Sequence, residues 1–109
     1  MPLIRDSKWI TLLRFGNVDE FNRLAAHEPP DLANADLRMI DLRKADLSHA
    51  NMRDVYLRNA DMRGLDLSMA DLEGASLHDA SVAGVLFPRN LRPEEIQLSL
   101  VFGTRMRSS

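Results

Sequence analysis

The sequence predicts an all-β solenoid, a four-sided coil of about three turns closed at both ends by short helices. Three observations carry that expectation. From Pro30 to Arg89 the chain divides into twelve consecutive fives without an insertion. The middle residue of every five is apolar: Leu32, Leu37, Leu42, Leu47, Met52, Leu57, Met62, Leu67, Leu72, Leu77, Val82 and Phe87. Two places earlier stands a small or aliphatic residue in eleven of the twelve, seven of them alanine, and the residue between is Asp or Asn in eight.

Neither ordinary element can use a period of five. On an α-helix five residues advance about 500°, so each leucine lands roughly 140° from the last and no apolar stripe forms. On a straight strand an odd period sends successive leucines to opposite surfaces. A chain that turns a corner of about 90° after every five residues does better, because each leucine then points to one interior. Four sides make a coil of twenty residues, and coils stack at about 4.8 Å. The alanines let the narrow interior close.

The tandem A(D/N)LXX pattern resembles that of the pentapeptide-repeat proteins. The resemblance covers residues 30–89 and implies a right-handed quadrilateral β-helix. In the last three fives Ser76, Ser81 and Leu86 replace the acidic residue, which predicts that the coil loosens toward its end.

Both ends of a stacked coil leave unpaired backbone and apolar interior, so residues 1–29 and 90–109 are expected to be caps. Asn17-Val18-Asp19-Glu20 reads as a capping box ahead of a helix that buries Val18, Phe21, Leu24 and Ala25 and stops at Pro29-Pro30. Ser7 to Phe15, ending at Gly16, reads as a second, shorter helix. The Glu20-Phe21-Asn22-Arg23 segment also looks like the leaders that precede the coils in related proteins. After the repeats, Pro93-Glu94-Glu95 suits a helix start and Gly103 a stop. The alternation of Ile96, Leu98 and Leu100 fits a strand as well. In either form one apolar surface is left over, and Leu98, Val101 and Phe102 are the candidate interface of a homodimer.

The residues flanking each central leucine should face solvent. Stacking by twenty places Asp41 over Asp61, Asp46 over Asp66, Arg38 over Arg58 and Arg43 over Arg63, with opposite charges interleaved. Arg38, Arg43, Arg53, Arg58 and Arg63, extended by Lys44, form the candidate interaction surface, while Asp71, Glu73 and Asp79 make the last coil acidic.

The 109 residues allow one small domain, with 45% hydrophobic and 28% charged residues, as in a soluble globular protein. A net charge of −2 points to neither a nucleic-acid binder nor an acidic mimic. With no cysteine there are no disulfides and no thiolate chemistry. Met1 to Asp6 has no apolar signal core and no run reaches membrane-spanning length, so a cytoplasmic protein is expected. His27, His49 and His78 show no metal-ligand spacing. Ser76-Leu77-His78-Asp79 holds triad residue types, but neighbours that alternate inward and outward cannot converge. No phosphate-cradling glycine loop and no calcium-roll pattern occurs. The chain reads as non-enzymatic, without cofactor, metal or small-molecule substrate: an interaction or scaffolding module whose protein partner is unidentified. The alternative, from the resemblance, is a duplex mimic that binds a type II topoisomerase, as the gyrase-protecting pentapeptide proteins do. Those relatives are long and strongly acidic. Residues 30–89 carry ten acids against seven bases, a weak field, and three coils rise only about 15 Å. The aspartates beside the arginines, with Tyr56 the only aromatic in the central repeats, argue against nucleic acid.

Overall fold

The computed structural model describes residues 3–4 and 6–108. Met1, Pro2 and Arg5 of the expected leader and Ser109 of the C-terminal segment lie outside the described residues. Three helices occur among them: α1 (Lys8–Arg14), α2 (Val18–Ala25) and α3 (Pro93–Phe102). Between α2 and α3 the chain winds through residues 30–89 as a coil with a register of twenty. Parallel bridges join Asp31 to Asn51, Asp36 to Tyr56 and Asp41 to Asp61, then Asn51 to Asp71, Tyr56 to Ser76, Asp61 to Ser81 and Asp66 to Leu86. Each coil therefore has four sides of five residues; side one begins at residues 30, 50 and 70, side two at 35, 55 and 75, and so on. The bridges stay isolated instead of growing into strands, because each side offers one extended residue before the next corner. Loosening toward the end is not observed, since the register runs through Leu86, where Leu67 N–H donates to Leu86 O at 2.8 Å.

The interior column forms as predicted. Ten of the twelve central residues, Leu32 through Leu77, are no more than 2% exposed, while Val82 and Phe87 are half-buried. Corners close by turn hydrogen bonds such as Ala35 N–H to Leu32 O at 3.0 Å and Ala60 N–H to Leu57 O at 3.0 Å. Every corner on sides one and two has a positive φ at the last residue of its five, the requirement of a type II turn. Asn34, Asp54, Asn59 and Asp79 tolerate that conformation, and Gly74 adopts it freely. Met39, with φ 63°, does not belong in it by type. Replacing Met39 by asparagine is expected to raise stability by about 1 kcal/mol, read as a higher urea midpoint. Side four closes differently: His49, Met69 and Arg89 have no positive φ.

Helices α1 and α2 plug the first coil. Trp9, Ile10, Leu13 and Phe21 are buried against it, and the Trp9 and Phe21 rings meet edge to face with centroids 5.2 Å apart. Ser7 caps α1 by accepting from Ile10 N–H at 3.1 Å. The expected capping box does not form. Asn17 has φ −81° and ψ 58°, its side chain makes no cap hydrogen bond, and Glu20 instead forks onto Arg23 within α2. Two side-on contacts satisfy open backbone of the first coil. Ile4 exchanges hydrogen bonds with Asn34 O (2.7 Å) and Asp36 N–H (2.8 Å). The Asn22 amide donates to Lys44 O (2.9 Å) and accepts from Asp46 N–H (2.7 Å). On the other side of Asp46, no bridge to Asp66 forms among the described residues.

The C-terminal segment is a helix, not a strand. Pro93 opens α3, and Gly103 ends it with φ 74°, where a Cβ would stand 3.3 Å from the His78 side chain. Ser99, fully buried, accepts Leu77 N–H at 2.8 Å. Met106, also buried, exchanges hydrogen bonds with Gly74 N–H (2.7 Å) and Ala75 O (2.9 Å). Arg105 adds donors to Gly74 O and Asp54 O at 2.8 and 3.2 Å. Sides one and two of the last coil are thus covered by the chain's own end. On sides three and four, the N–H groups of Val82, Gly84 and Phe87 have no hydrogen-bond partner among the described residues.

Candidate functional site

The outward residues are organised by the acidic position. In all eight fives that carry Asp or Asn there, its Oδ1 accepts the N–H two residues on, as from Asp41 to Arg43 at 3.1 Å and from Asp61 to Arg63 at 3.3 Å. These N–H groups point away from the neighbouring coils, so without the side chain they would depend on water. Where Leu86 stands in place of the acid, the residue two on is Pro88, which has no N–H to satisfy.

The same carboxylates grip the arginines. Arg38 forks onto Asp36 at 2.9 and 2.8 Å, Arg43 onto Asp41 at 3.0 and 2.8 Å, and Arg63 onto Asp61 at 2.9 and 2.8 Å. Arg43 also reaches up to Asp61 at 3.3 Å, the interleaving that stacking by twenty predicts. Arg53, which follows Asn51, turns instead to Asp71 of the next coil at 3.1 Å. Among the described residues Arg58 alone of the five has no side-chain hydrogen-bond or ion-pair partner, because its five carries Tyr56 where the others carry Asp or Asn. The five arginines also do not share one surface. Arg53 stands on side one, Arg38 and Arg58 on side two, and Arg43 and Arg63 on side three, since successive fives occupy successive sides.

The arginine forks hold carboxyls below their ordinary range. The Arg43 guanidinium, with its backbone N–H, lowers Asp41 from 3.8 to about 2. Arg63 lowers Asp61, and Arg38 lowers Asp36, in the same direction. A depressed carboxyl stabilises the fold above its unfolded pKa, and that contribution is lost as pH falls through the folded value. The melting temperature is therefore expected to drop between about pH 4 and about pH 2, and salt at about 0.5 M should shrink the drop by screening these exposed pairs. Circular-dichroism melts of wild type and an R43Q/R63Q variant measure the share that the forks supply.

The repeat model for "Pentapeptide repeats" matches the chain in eight copies, over residues 31–64 and 40–79. Residues 31–79 of this chain are pentapeptide repeats of that family. No curated protein and no solved structure matches it.

Within the pentapeptide repeat, two outward positions depart from expectation. Asp36 is only 4% exposed, lying under Arg38, while Arg14 donates to its carbonyl at 2.7 Å. Ser76 is 3% exposed because its hydroxyl donates to Gly103 O at 2.9 Å. The acids of the last coil are also engaged: Asp71 by Arg53, Glu73 by Ser108, and Asp79 by His78 at 3.5 Å. At the C-terminal end, Leu98, Val101 and Phe102 are 42%, 53% and 71% exposed, with Leu86 on the same end at 59%. Ile96 and Leu100, on the other side of α3, pack against the core. Ser99, Met106 and Asn22 carry the end contacts that the sequence reading missed. Nothing local marks them, although a serine between two apolar helix positions is a signal for a buried hydroxyl. Among the described residues no cluster of His, Asp or Glu has metal-holding geometry, and no helix is long and apolar enough to cross a membrane.

Proposed function

We propose that this pentapeptide-repeat protein is a non-enzymatic interaction module of the cytoplasm, wound in the right-handed sense of its family, which pairs with a second copy through its C-terminal end. The half-covered last coil supports this reading. The chain's own tail covers two sides of the edge, while Val82, Gly84 and Phe87 keep open donors on the others and α3 turns Leu98, Val101 and Phe102 outward. A twofold pairing of such ends is self-complementary and would bury both rows at once.

Sedimentation velocity over a concentration series tests the proposal. Wild type is expected to shift toward a dimer, and Phe102→Asp, at a position too exposed to matter for folding, to remain a monomer. A wild type that stays monomeric at the highest soluble concentration overturns it. The duplex-mimic alternative has less support, because arginines pair with Asp36, Asp41, Asp61 and Asp71 on the sides and the molecule is only 35 Å in its longest dimension.

A further inference from the structure

We infer that the corner between sides two and three near the first coil is a second binding surface, which takes an extended, carboxylate-rich protein segment with an apolar side chain among its acids. The surface centres on Met39, which is 78% exposed and held outward by its left-handed backbone. On one flank lies a depression of about 210 Å³ lined by Arg38, Met39, Arg58 and Asn59. On the other lies one of about 450 Å³ to which Leu13, Arg14, Gly16 and Ile40 contribute. The charge there is positive and available. The Arg58 side chain has no partner among the described residues, and the Arg14 guanidinium donates to the Asp36 carbonyl oxygen. Arg38 is anchored by the buried Asp36 and rests 5.5 Å from the Tyr56 ring, so its position is fixed before anything binds. Of the acids nearby, Asp41 is tied to Arg43, and Asp6 lies beside Arg14 in a third depression.

Guanidinium groups flanking an exposed thioether match a ligand whose carboxylates flank an aliphatic side chain. Arginine supplies paired donors for carboxylates, and methionine adapts its shape to the apolar group between them. A protein segment fits better than nucleic acid. Met39 offers a base no stacking plane, and the neighbouring Tyr56 ring already carries the Arg38 guanidinium. This surface involves none of the residues of the C-terminal end, so it stands or falls separately from self-pairing.

The test is a titration of the full chain, followed by the Met39 methyl and Arg58 Nε–H resonances. The probe is a synthetic peptide carrying Glu-Leu-Glu between glycines, with Gln-Leu-Gln and a single-stranded oligonucleotide as comparison probes. Both resonances are expected to shift and saturate with the acidic peptide alone. Arg58→Ser and Met39→Asn should each weaken binding about five- to tenfold. Asparagine is at home in the backbone conformation at position 39, so M39N separates lost binding from lost folding. Arg53→Ser, which alters an arginine already tied to Asp71, should bind as wild type does. The inference is overturned if the acidic peptide leaves both resonances unmoved, if R58S binds unchanged, or if the oligonucleotide shifts them equally. Self-association abolished by R58S would overturn it too, by assigning the surface to a second copy.

Discussion

Phe21→Ala is expected to destabilise the protein by about 3–5 kcal/mol, the loss found when a buried aromatic leaves a cavity. Phe21 is fully buried, meets Trp9 edge to face and closes the floor of the first coil. The loss should also spread, because a repeat array holds together through contacts between neighbouring units and three coils are about the minimum that suffices. With typical domain stabilities of about 5–15 kcal/mol, urea denaturation should show a sharply lowered midpoint. A variant retaining the wild-type midpoint would mean that α1 and α2 are ornaments on a coil that is stable by itself.

Leu57→Ala is expected to cost about 2–5 kcal/mol. Leu57 lies in the central coil with neighbours above and below, and its side is fixed by hydrogen bonds to both: Tyr56 N–H to Ala35 O and Leu57 N–H to Ser76 O, each at 2.9 Å. Rigid corners on either side prevent collapse into the void, which places the cost toward the upper end of that range. Phe87→Ala is the informative comparison. It removes a larger side chain, but from a half-buried site in the last coil, and should cost less than Leu57→Ala. Equal losses would show that the interior column is not graded from its middle to its open end.

The interior was legible because an apolar residue recurs every five positions and only one backbone path reconciles that period with burial. Caps were legible where the signal is local: Pro93 and Gly103 bound α3, and Ser7 opens α1. The capping box at Asn17 failed for a local reason too, since its backbone is not extended and its side chain cannot reach the first turn. What could not be read were groups whose role depends on where a distant segment lands. Asn22 meets the first coil across 24 residues of sequence, and Ser99 reaches Leu77 across 22. Asp36 and Ser76 are buried for the same reason, as ends of the chain fold over outward positions. The candidate surface was read from composition along the sides, whereas its available charge depends on the residue two places before each arginine. That rule was present in the letters: Arg58 follows Tyr56, and Arg53 follows Asn51.

The carbonyl oxygen that takes the outward N–H is common to aspartate and asparagine, while the grip on arginine needs the full carboxylate. An Asp-to-Asn exchange at position 61 would therefore keep the winding intact and set the Arg63 cation loose. Asn51 already illustrates the arrangement, holding the N–H of Arg53 while the guanidinium is free to seek another coil. The exterior of this solenoid can be rewritten one letter at a time, in a script that the leucine column beneath never has to read.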